Sequence, residues 1–90
     1  MKTIDADFLG QIPLEQITGV TFYKRDELTS DLICCDIVVA GKTWTIHEEV
    51  PGWPLLIEHL ERLAGFRADW FEAVALPPFG RNETIAFRRL

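Results

Sequence analysis

The chain has 90 residues, 48% hydrophobic and 26% charged, with nine Lys and Arg against fourteen Asp and Glu and a net charge of −5. That profile predicts one folded domain over residues 1–90 and excludes a disordered tail. The acidic balance also speaks against nucleic acid and against anionic membrane surfaces, which call for a basic face. The short pairs Lys24-Arg25 and Arg88-Arg89 do not reverse it.

No apolar run approaches the roughly 20 residues that span a bilayer. The first ten residues carry acids where a secretory signal needs an apolar core, so the expected compartment is the cytoplasm. The two cysteines, Cys34 and Cys35, are adjacent and suit a reducing compartment. On a strand they point to opposite faces, which makes a disulfide between them geometrically poor. Six Phe, three Trp and one Tyr are a high aromatic load for this length, enough to leave an apolar surface patch.

Residues 1–16 have a loose apolar spacing (Ile4, Phe8, Leu9, Ile12, Leu14) interrupted by Gly10 and Pro13. They predict a short helical turn or an extended arm lying on the domain. Ile17 to Arg25 reads as the first strand, with Val20 and Phe22 on one face and Thr21 and Tyr23 on the other.

The strongest local signal is a hairpin from Leu32 to Glu49. Both arms are rich in β-branched and aromatic residues, and Gly41 lies between them. A type II′ turn with Gly41 first and Lys42 second sets Asp36 opposite His47. A turn on Ala40-Gly41 sets Asp36 opposite Thr45 instead. Both registers give the same two faces. Ile33, Cys35, Ile37, Val39, Trp44 and Ile46 form an apolar face. Cys34, Asp36, Val38, Thr43, Thr45, His47 and Glu49 form a mixed one.

Pro51-Gly52-Trp53-Pro54 ends the hairpin and starts a helix, Pro54 being tolerated in the first turn. Trp53, Leu56, Ile57, Leu60, Leu63 and Ala64 fall on one helical stripe that suits the hairpin's apolar face. Gly65 is placed to end this helix. Asp69 with Glu72 resembles a capping box for a second, short helix, which Pro77-Pro78 stops. Thr84 to Arg88 reads as a last strand, with Ile85 and Phe87 on one face. The predicted fold is therefore a two-layer α+β domain. Three meandering antiparallel strands plus a C-terminal strand pack on one main helix and a short second one. A pleckstrin-homology-like barrel is rejected, because four strands are counted where that fold has seven.

Trp44-Thr-Ile-His-Glu-Glu, then Pro51-Gly-Trp, Gly65-Phe with Asp69-Trp-Phe, Pro77-Pro-Phe and Asn82-Glu-Thr together resemble a set of short bacterial proteins of uncharacterised function. The resemblance lies mainly in the C-terminal half. It implies a bacterial source, no particular activity and no catalytic residue.

Three constellations carry chemistry. On the mixed face Asp36 can orient His47 as a base, with Cys34 as nucleophile or Glu49 assisting. The competing view is a polar sheet side with a cross-strand pair, mid-strand and without an oxyanion-hole signature. His47 and Glu49, joined by Asp36 or His59, are weak metal candidates whose spacing matches no standard zinc pattern. Cys34-Cys35 lacks the spacing of dithiol redox chemistry. Trp53, Trp70, Phe71 and Phe79 gather around the helices, either lining a groove for a peptide or apolar ligand or closing a small core. No phosphate-binding loop is present, since Gly41-Lys42-Thr43 is a hairpin turn. The leading expectation is a non-catalytic binding module, without a cofactor, for another protein or a second copy of itself. The alternatives are a small hydrolase or metal-assisted enzyme on the Asp36/His47/Glu49 face, or a carrier of a small apolar ligand.

Overall fold

The computed structural model describes residues 3–26, 31–75 and 83–89. Four strands form one antiparallel sheet: β1 (Ile17–Asp26), β2 (Asp31–Val39), β3 (Lys42–His47) and β4 (Thr84–Arg88), in the spatial order β3-β2-β1-β4. The first three are a meander. The last returns from the helices, as the sequence predicts, and the structure pairs it with β1. Helices α1 (Ala6–Gly10), α2 (Trp53–Glu61) and α3 (Trp70–Ala75) complete an α+β architecture.

Alternation along the strands builds the core. Val20 and Phe22 of β1 meet Ile33, Cys35, Ile37 and Val39 of β2 and Ile46 of β3, all buried in one cluster. From α2, Leu56 and Leu60 enter it fully, and Leu63 follows just beyond the helix. Each of these leucines contributes about 2 kcal/mol by leaving water. Ala64, placed on the same stripe by spacing, is exposed because the regular helix has already ended at Glu61. Gly65 still has the left-handed φ of +85° expected of a helix-ending residue. Phe66 then turns back to meet Phe22 edge-on, at 6.3 Å.

Phe22 is the centre of this layer. The Trp70 ring stacks on it at 3.9 Å, and Trp53 meets it edge-on at 6.3 Å. Lys24, two residues along the same side of β1, is also buried and donates from Nζ to the Ala75 carbonyl at 2.9 Å. A cation there complements the negative end of α3. The Lys24-Arg25 pair is thus not a surface patch, because its first member is an internal contact.

The N-terminal arm is a short helix on a cap. The Asp5 carboxylate accepts from the Phe8 amide at 2.9 Å, and Phe8 is buried against Trp44 with ring centroids 5.2 Å apart. The Ile4 amide donates to the Pro51 carbonyl at 2.8 Å. Gly52 begins α2 at a φ of +93°, and a Cβ there would stand 2.2 Å from the Ile4 carbonyl oxygen. Glycine is needed at that position twice over, for its dihedral and for the close approach.

One detail decides between the two registers the sequence allows, and a second differs from the sequence expectation. The hairpin turn is Ala40-Gly41, both with positive φ (50° and 81°), and Val39 pairs with Lys42. That is a type I′ geometry, whose twist matches the strands. The register therefore places Asp36 opposite Thr45 and His47 opposite Cys34, not Asp36 opposite His47. On β4 a bulge between the pairs Val20–Phe87 and Thr21–Ile85 splits the expected face-mates. Phe87 joins the core, whereas Ile85 is 47% exposed on the other side. An extra residue in one strand flips every side chain beyond it.

Candidate functional site

Helices α1, α2 and α3 lie on the Phe22 side of the sheet, through Phe8, Leu56, Leu60, Trp70 and Val74. The opposite side presents three rows across the strands. His47, Cys34 and Tyr23 form one; Thr45, Asp36, Thr21 and Ile85 the next; Thr43, Val38, Gly19 and Arg88 the last. Cys34 and its neighbour Leu32 are buried, so the first end of this side is closed. The other end is open. Thr18, Thr21, Asp36, Val38, Thr43, Ile85 and Arg88 surround a shallow trough of about 330 Å³, with Gly19 contributing no side chain to its floor.

Asp36 is held by hydroxyls. Thr45 Oγ1 donates to its Oδ1 at 2.7 Å, and Tyr23 Oη donates to the same oxygen at 3.3 Å. Burial first, and then the negative charge of Asp36, raise the Tyr23 pKa above its ordinary value. The phenol thus stays protonated and keeps donating. Tyr23 is absent from the sequence-derived site, although its place one strand over from Cys34 follows from alternation once the first two strands pair.

The imidazole of His47 turns away from Asp36: its Nδ1 accepts the Glu49 backbone amide at 3.2 Å. Cys34 lies opposite His47 in the register, yet its thiol is buried and stands 3.8 Å from the Leu32 carbonyl. Nucleophile, base and orienting carboxylate are thereby on one side of the sheet but not joined in a chain of hydrogen bonds. His59 is elsewhere, with Nε2–H donating to the Ile12 carbonyl at 2.9 Å, which ties α2 to the N-terminal arm. Among the described residues no group of three or more His, Cys, Asp and Glu side chains converges in a way that holds a metal ion.

Cys35 points into the core, and burial pushes its thiol pKa well above the ordinary value. It acts as a small apolar side chain. Of the aromatic candidates, Trp70 is 7% exposed and filled in by Phe22, and Trp53 is partly buried against the same ring. Phe71 is 53% exposed and meets Trp70 edge-on at 5.7 Å. Phe79 lies outside the described residues. The two tryptophans are brought together, but by a core ring between them. Ahead of α3, Arg67 holds the Asp69 carboxylate at 2.6 Å, which keeps that carboxyl below its usual range. Asp69 nonetheless occupies the cap position, since its carbonyl accepts the first helical bond from Ala73.

No described helix is long and apolar enough to cross a membrane. Comparisons of the chain with protein-family models, with curated proteins and with solved structures find no match in any of the three.

Proposed function

We propose that the chain is a non-catalytic interaction module of the cytoplasm that engages a protein surface, another protein's or its own, through the open side of its sheet. The observation that carries this is the trough end of that side. Ile85 is 47% exposed there beside the half-buried Val38, ringed by hydroxyls with one carboxylate and one guanidinium. Apolar centre and polar rim are the anatomy of a protein-binding patch. Three threonines offer contact with little side-chain entropy to lose. The enzyme reading is weaker, because Asp36 is committed to Thr45 and Tyr23 while Cys34 is closed off. The apolar-carrier reading is weaker too, since Phe22 fills the space between the tryptophans.

A photo-crosslinking residue placed at Thr43, at Ile85 and, as a control on the helical side, at Glu61 tests the proposal in living cells. The expected result is one adduct mass common to the first two positions, absent from the third and lost on Val38→Lys. An adduct at twice the chain's mass identifies the partner as a second copy. The same adducts at all three positions, or none at any, overturn the proposal.

A further inference from the structure

The two edges of the sheet are not equivalent. On β4 the outer edge is partly taken: the Arg67 amide donates to the Ala86 carbonyl at 2.8 Å, next to the bulge. β3, at the other edge, runs six residues without a bulge. Its ladder with β2 is fixed by the two-residue turn, which makes Val39–Lys42, Ile37–Trp44 and Cys35–Ile46 the hydrogen-bonded pairs. The Glu48 amide, donating to the Ile33 carbonyl at 2.9 Å, continues the same alternation. The backbone groups of Thr43, Thr45 and His47 therefore face outward. Among the described residues only the His47 carbonyl has a partner, the Val50 amide at 3.1 Å. Thr43 and Thr45 are exposed.

We infer that β3 pairs antiparallel with β3 of a second copy, about a twofold axis that passes between the two Thr45 residues and is perpendicular to the sheet, giving one continuous eight-stranded sheet. It rests on the reading of the chain as an interaction module and names one partner and its place. Three features select this register. A twofold axis perpendicular to the sheet keeps the helices of both copies on one side, which requires opposed residues of like face. The register centred on Thr45 does this, and it opposes the residues whose backbone groups face outward: Thr45 with Thr45, and Thr43 with His47. Four amide–carbonyl bonds then form between groups that have no partner among the described residues, two across the Thr45 pair and two from His47 amides to Thr43 carbonyls. The same register sets Lys42 opposite Glu48 of the other copy, twice. Lys42 is exposed, its ammonium resting 4.3 Å from the Trp44 ring centroid. In a chain of net charge −5, that cation at the edge supplies the complementarity two copies need to approach. Dimer formation by edge pairing leaves the trough of each copy free, and places the two side by side on a doubled surface.

Light scattering from 1 μM to 1 mM (roughly the range where one added strand pair is expected to act) tests the inference. Wild type is expected to shift from one to two chain masses across it. Lys42→Glu and Glu48→Lys each place like charges opposite each other at two sites per dimer, and each is expected to raise the dimer dissociation constant about tenfold or more. The doubly exchanged chain, K42E/E48K, is expected to recover it. Thr45→Pro removes the amide at the axis without touching the β2–β3 ladder, and is expected to yield a monomer of unchanged circular dichroism. A monomeric wild type throughout, a dimer indifferent to Thr45→Pro, or a double exchange no better than the single ones overturns the inference. None of these results depends on crosslinks from Ile85, so the trough and the edge stand or fall separately.

Discussion

The same four strands make both sides of the sheet, and the two sides have different physics. On the helix side Phe22 is enclosed by Trp53, Phe66 and Trp70, and Leu56 and Leu60 are out of water altogether. On the other side the rows run from a buried Cys34 to an exposed Ile85 within a few residues. Alternation decides which side a residue takes. What lies over that side decides what the residue is worth. The helix side holds the stability, and the open side is free to be shaped for contact.

The sharpest break of that contrast is Phe22→Ala. It removes the ring on which three other aromatics close, and the expected cost is about 3–5 kcal/mol in urea unfolding. A loss under 1 kcal/mol would mean that the aromatic cluster is not the centre of the core. Next comes Gly52→Ala, where the new Cβ meets the Ile4 carbonyl at 2.2 Å with φ at +93°. Roughly 3 kcal/mol or more is expected. Gly65→Ala is the internal control. Its φ is +85°, but nothing lies within 4 Å of the added carbon, so about 1–2 kcal/mol of backbone strain is all that should appear. Equal losses at the two glycines would show that Ile4 does not lie against the start of α2.

The pH dependence sharpens the contrast further. Cys35 in the folded chain holds its proton well above the ordinary thiol value of 9.0. The unfolded chain releases that proton near its ordinary pKa, so at high pH the unfolded state binds fewer protons and stability falls as pH rises. The window opens near pH 9, with a slope of at most about 1.4 kcal/mol per pH unit for one thiol. Tyr23, also raised, pulls in the same direction from a higher starting point. Cys35→Ala is expected to be less stable at neutral pH, through its cavity, and to show a flatter decline between pH 9 and 10. An unchanged slope would place the thiol in contact with water.

How much of this was legible beforehand depends on whether a feature is periodic or local. The two faces of the hairpin follow from alternation, and so do Leu56 and Leu60 from helical spacing. The partner of Asp36 does not, because it turns on a single backbone choice. Gly41 invites a turn in which it comes first, whereas the chain puts Ala40 into the left-handed region at φ 50° and keeps the I′ twist. That choice, the second of the two registers the sequence allows, pairs Asp36 with Thr45 and leaves the base–orienter pair of the first unmade. The β4 bulge has no signature in Thr-Ile-Ala-Phe-Arg, so the separation of Ile85 from Phe87 was invisible too. The trough, being made by that bulge and by a glycine's missing side chain, was hidden for the same reason.

Gly19 gives the smallest expected effect and the most direct probe of the open side. It sits mid-row between Val38 and Arg88, just past an irregularity in the β1–β2 pairing. An added Cβ would lie 3.9 Å from the Phe87 carbonyl oxygen and 3.9 Å from Val38 Cγ2, ordinary contact distances, and no positive φ stands in its way. On the helix side, Gly52→Ala has no such room. Gly19→Ala should therefore stabilise the fold, by about 0.4–1 kcal/mol, because the unfolded chain loses freedom that the folded one never used. It also raises the trough floor by one methyl group, so the crosslink from Ile85 should weaken while the urea midpoint rises. An unfolding free energy that falls by more than about 1 kcal/mol would mean that this row is already closed over, and the two sides of the sheet would no longer differ in the way their exposures imply.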